Sequence, residues 1–360
     1  MKRLLLALLA SAFLFAANAQ TLLPVRDSIG KLSISVDPRM ELLGAVQIMA
    51  RYQMRYLCNT RGTPYSNRVQ DYFSAFSGFD AVKWTRNLSD LGFAFDAPPG
   101  FMLYCSGLPE LKLLQPYSEY LKGRAHGEKN LRRYRAALKS FAAKSHFADF
   151  WTENVDFYRQ VLNWGKLEIG DVDIVHLLES YYNMDYGSYQ LILCPLFGRC
   201  NYATSIPDSD GRQQTYALVC VPQNPDGTLP DERLDLMKLL LHEFSHSFVN
   251  PSVERYPNLV AQSSDCFEFI REKMEAQAYP YWNICVNEHI VRAVVIRILE
   301  AINGPEDTEE RLQAEEQNSF LYIRPVVEKL RQYEMVRDST GISFADYVPQ
   351  LLKVFGEAKL

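Results

Sequence analysis

Apolar residues recur along this chain with two periods, and the switches between the periods mark its elements. Lys31-Leu32-Ser33-Ile34-Ser35-Val36 alternates, as a strand with one buried face does. Asp37-Pro38 then opens a helical run over residues 40–50. A mostly helical stretch is expected to about residue 150, broken at Asp96-Ala97-Pro98-Pro99-Gly100. Near residue 186 the pattern changes. Residues 188–195 and 215–221 read as strands, and Gly198-Arg199-Cys200-Asn201-Tyr202-Ala203 as a tight turn into a further extended piece. Between them the polar run 208–214 reads as a loop. Leu234, Met237, Leu241, Phe244 and Phe248 then recur at three and four, which predicts a helix. Thr228, Pro230 and Asp231 can start it after the turn Asn224-Pro225-Asp226-Gly227, and Asn250-Pro251 is expected to end it. The pattern is helical again from 265 to 301, with a break at Pro280, and one or two further helices are expected between 320 and 355.

Few strands among many helices predict an α+β fold, a small mixed sheet packed on a mainly helical body. Residues 20–185 read as a mainly helical N-terminal region and 186–360 as a second region carrying the strands and the buried helix. The two can also form one compact unit. Met1-Lys2-Arg3 and the apolar run after it have the form of a secretory signal peptide, with Ala17-Asn18-Ala19 as the cleavage site. The expected mature chain starts at Gln20 and has 341 of the 360 residues, with 36 basic against 43 acidic side chains. The expected location is the periplasm or the cell exterior. Net acidity argues against a nucleic-acid partner, and no later segment has the length of a membrane span. Of seven cysteines, Cys194 and Cys200 are the pair easiest to join. No C-x-x-C spacing occurs, so a cysteine-built zinc site is not expected.

The chemistry concentrates in His242-Glu243-Phe244-Ser245-His246. Histidines four apart on a helix share a face, so two imidazoles can hold one zinc ion. Glu243 lies roughly 100° around the helix from His242, where it can reach a metal-bound water and take its proton. The helix is apolar on several sides. Two histidines and a glutamate buried there are costly unless something binds them.

Strands followed by an H-E-x-x-H helix, and then by a helix with a third ligand, resemble the zincin metallopeptidases. The metzincin extension is excluded, because Val249 and Ser252 stand where it needs Gly and His. Asn287-Glu288 resembles the segment that carries the third ligand in thermolysin-like gluzincins, which implies Glu288 as that ligand. Glu275, Glu268, Glu272 and His289 are the competitors. Residues 37–42 and 240–251 also look like a family of secreted bacterial proteins of unknown function, which implies a peptidase-like fold and names no substrate. One position departs from the thermolysin pattern. Four residues after the ligand glutamate that pattern has an acid, and this chain has Arg292, which cannot accept a hydrogen bond from a ligand histidine.

The resemblance implies a zinc-dependent peptidase acting on peptide or protein, with Glu243 as general base. Its metal ligands would be His242, His246 and Glu288. Tyr281 or Arg292 would serve the oxyanion. An extended substrate could pair with a strand such as 215–221. The alternative is an exported zinc-containing binding protein on the same scaffold with little or no hydrolysis. His126, His146 and His176 have no partner at ligand spacing and read as surface or satisfied core histidines.

Overall fold

The structure is a computed structural model that describes residues 21–52, 62–198, 201–208, 210–231 and 235–357. The expected signal peptide, Cys58 and Cys200 lie outside the described residues. Five strands form one mixed sheet: β1 (Val25–Ile29), β2 (Leu32–Val36), β3 (Ser188–Cys194), β4 (Tyr202–Pro207) and β5 (Gln213–Cys220), in the order β1-β2-β3-β5-β4. β2, β3 and β5 run parallel, while β1 and β4 are antiparallel to their neighbours at the two edges. The crossover from β2 to its parallel neighbour β3 takes in the helices from Pro38 to Tyr182. Strands from either side of residue 186 therefore share one sheet, and their buried side chains join one apolar cluster. The fold is α+β. Among the described residues no helix is long and apolar enough to cross a membrane.

β1 carries no alternation, and it was not expected. Its three central residues are exposed, as at a sheet edge, so binary pattern leaves no mark there. The expected break at Pro98-Pro99 is instead the first turn of a short helix, Ala97–Leu103. Proline costs no hydrogen bond at that end. β5 also departs from expectation as a docking strand: β3 and β4 occupy both its edges, and the outer strand is β4. Cys194 pairs in register with Cys220 on β5, and the five described cysteines form no disulfide.

The helix Pro38–Met49 packs against the turn that follows β3. Asp37 caps it, accepting from the Arg39 amide at 2.8 Å. Gly44 sets the approach, because a Cβ there would lie 2.6 Å from Leu196 Cβ. That neighbour is anchored to the backbone and cannot swing aside. Gly44→Ala is expected to destabilise the fold by about 1–3 kcal/mol, read as a lower urea midpoint. An unchanged midpoint would show that the helix shifts at no cost.

Candidate metal centre

The H-E-x-x-H segment lies in the middle of a 19-residue helix, Leu236–Glu254, here called the motif helix. Asp235 caps it, accepting from the Lys238 amide at 3.0 Å. Leu240, Leu241, Phe244 and Phe248 are fully buried, and the helix packs on β4 and β5. Phe248 stacks on Tyr182 with centroids 4.3 Å apart. This fixes the helix about its axis and turns His242 and His246 toward a second helix.

The motif helix does not stop at Pro251 but continues to Glu254. Pro251 cannot donate to the Ser247 carbonyl one turn back. Tyr186 supplies the missing donor, its hydroxyl reaching that carbonyl at 2.5 Å. A tertiary hydrogen bond thus offsets the loss that normally ends a helix at proline, and it keeps Asn250 helical beside His246.

The second helix, Trp282–Asn303, here called the companion helix, brings Glu288 to the histidines. Its first turn is anchored by the Trp282 indole N–H, which lies 3.1 Å from both the Val260 carbonyl and Ser263 Oγ. His242 Nε2 and His246 Nε2 are 3.2 Å apart. Glu288 Oε1 lies 3.3 Å from His246 Nε2, and Oε2 lies 3.7 Å from His242 Nε2. These three side chains could hold a metal ion. Glu288 Oε2 is buried and accepts no hydrogen bond, as an oxygen prepared for a cation would be. His246 Nδ1 donates to Asn250 Oδ1 at 3.3 Å, so the ring turns an Nε2 lone pair to the cluster. Asn250 therefore takes the orienting role that Arg292 cannot. Its place one turn after His246 was readable from the helical period.

The charges suit a cation. Burial alone would raise the Glu288 carboxyl, but His246, His242 and Arg292 outweigh it and hold the group down to about 2. Burial, with help from His246, Arg292 and Lys238, lowers His242 to about 3 against the pull of Glu288. For His246, burial is outweighed by Glu288 and Glu243, and its pKa rises. A neutral His242 beside an ionised Glu288 has the protonation that metal ligation requires. Glu243 does not join the cluster. Burial lifts its carboxyl to about 7, with Glu288 adding and His246 opposing.

His242, Glu243 and Arg292 line one cavity of about 710 Å³. Its walls come from the motif helix, the companion helix and a third helix, Thr308–Gln317, which the sequence pattern did not reveal. Arg292 is held on four sides. Its Nε lies 3.4 Å from Glu288 Oε2, and its Nη1 donates to Glu315 at 2.9 Å. Nη2 donates to the Tyr279 hydroxyl at 3.4 Å, and the guanidinium sits 4.1 Å over the Phe320 ring. Tyr281 stands elsewhere: it precedes the first turn of the companion helix and is 65% exposed. The tyrosine beside Arg292 is Tyr279.

The competing ligands are placed away from the cluster. His289 is fully buried against Phe320, Tyr322 and Phe355, and its Nδ1 donates to the Cys285 carbonyl at 2.7 Å. Glu268 and Glu275 pair with Arg271 at the surface, and Glu272 is exposed. His126 meets the Leu91 carbonyl, His146 lies near Asp149, and the His176 amide is taken by Asp173.

No curated protein and no solved structure matches the chain. One family model does, described as a domain of unknown function (DUF4932), over residues 32–354. That span takes in the sheet from β2 onward, the motif helix and the companion helix, and the chain belongs to this family.

Proposed function

We propose that this protein is an exported zinc-dependent peptidase. The reading is carried by Glu243, a carboxylate next to the first histidine of a His-His-Glu cluster and lining a cavity with it. A tetrahedral zinc with ligand bonds of about 2.0–2.1 Å sets its ligand atoms about 3.3 Å apart. The 3.2 Å between the two histidine Nε2 atoms and the 3.3 Å from His246 Nε2 to Glu288 Oε1 suit that geometry, while the 3.7 Å contact to His242 is made by the other Glu288 oxygen. Three protein ligands leave one position open for chemistry. When bound, zinc supplies a Lewis acid that polarises a carbonyl and makes water more acidic.

Glu243 takes the proton of the attacking water and passes it to the leaving amine. Burial raises its carboxyl above the ordinary carboxylate range, which makes it a stronger base than a solvent-exposed glutamate. The cavity admits a short length of chain. On its β4 side, Asn201 lines the cavity, and Ser205 of β4 bonds Ser247 of the motif helix at 3.0 Å. An extended peptide would add its backbone to the outer edge of β4 and lie across the metal ligands.

The test is metal analysis of the purified mature protein with digestion of a mixed peptide library. About one zinc per chain is expected, with cleavage lost to a chelator and restored by zinc. Cleavage that survives complete metal removal would refute the reading. Zinc without any cleavage would replace it with a zinc-holding binding protein.

A further inference from the structure

We infer that Arg292 and Tyr279 form the pocket for the substrate's carbonyl oxygen as it gains charge, and that Glu315 is the residue that positions Arg292 there. This rests on the zinc hydrolase reading and names the groups that complete it.

The argument begins with how tightly Arg292 is held. A guanidinium has five N–H donors in one plane. Phe320 covers one face of that plane at 4.1 Å. Glu315 takes one donor of Nη1 at 2.9 Å, and Tyr279 takes one of Nη2 at 3.4 Å. Nε points toward Glu288 Oε2 at 3.4 Å but makes no hydrogen bond of good geometry. One N–H on each Nη therefore remains for a ligand, on a group that lines the cavity with His242 and Glu243.

The phenol supplies a second donor. Tyr279 accepts from Arg292, so its own O–H is left to donate, and it meets no acceptor among the described residues. Accepting from a cation makes that O–H a stronger donor. One guanidinium thus spans the metal-ligand carboxylate and the phenol. An anionic oxygen held in the cavity beside His242 would meet Arg292, and under this assignment it lies within reach of the Tyr279 O–H that adjoins the same guanidinium. Fixed donors aimed at developing charge stabilise a transition state more than a ground state.

Glu315 explains the third wall. It lies on the Thr308–Gln317 helix, 27 positions beyond Glu288, and its side chain is 13% exposed. Nothing else of that helix approaches Arg292 in the ion pairs of the site. Without Glu315 the guanidinium keeps its charge but loses the partner that fixes its plane.

The test uses cobalt-substituted protein titrated with acetohydroxamate, a small chelating anion that puts a charged oxygen at the metal. The visible cobalt bands report binding without any peptide. Tyr279→Phe and Glu315→Gln are expected to keep one metal per chain and to bind acetohydroxamate about tenfold more weakly or worse. Glu315→Asp should recover part of the loss, and Tyr281→Phe should bind like the parent. With a cleaved peptide, kcat should fall in Tyr279→Phe while KM changes little. Parent-like binding in both Tyr279→Phe and Glu315→Gln would overturn the inference, and so would a loss at Tyr281→Phe. Loss of metal in Glu315→Gln would assign that residue to the metal instead. If the parent binds acetohydroxamate but cuts no peptide, the peptidase reading fails while the anion pocket stands.

Discussion

Glu243→Gln should leave zinc in place and reduce hydrolysis by about 10²-fold or more. The reasoning is geometric. Glu243 follows His242 by one residue, so it points about 100° away from the face that His242 and His246 share. It is absent from the His-His-Glu cluster but lines the cavity with His242. Glutamine keeps the shape and the hydrogen-bonding length and cannot take a proton. Zinc content by metal analysis and turnover of a cleaved library peptide would be measured together. Equal turnover in the variant would exclude Glu243 as the base. Loss of zinc would instead mean that Glu243 contributes to the metal site, and its role would need reassignment.

The second large effect is expected at Glu288. Glu288→Ala should release the metal, with a loss of several kcal/mol in affinity, while Glu275→Ala and Glu268→Ala should retain it. Glu288 is nearly buried and faces both histidine Nε2 atoms, and one of its oxygens lacks any hydrogen bond. Removing it would leave two imidazoles without the carboxylate they face and Arg292 with Glu315 alone as its anionic partner. Glu268 and Glu275 pair with Arg271 at the surface, where an ion pair contributes little. Competition against a chromophoric chelator would give the affinities. Retained tight binding in Glu288→Ala would remove Glu288 from the ligand set and leave His242 and His246 to be completed elsewhere.

Local pattern determined much of this protein. Period two marked β2, short apolar runs bounded by turn residues marked β3 and β5, and period 3.6 marked the motif helix and the run that holds Glu288. The spacing of His242 and His246 placed two ligand nitrogens on one face, and the same period could have pointed to Asn250. These are i, i+4 relations, fixed by backbone geometry before any packing occurs. Which of Glu288 and its competitors lies beside the two histidines only tertiary structure shows, because four carboxylates and a histidine on nearby helical segments look alike until the helices dock. Docking turned Glu288 inward and His289 into an aromatic nest. The Tyr186 hydroxyl carried the motif helix past Pro251, a hydrogen bond between residues 61 apart that no local rule contains. Tyr279 and Glu315 reached Arg292 in the same way, from 13 and 23 positions away. The sheet shows the same division. Strand identity follows from the local apolar pattern, but the outer edge on the motif-helix side belongs to β4 because β3 and β4 close on either side of β5. Strand order is set by which long crossover buries the most apolar surface, and that sum is taken over the whole chain.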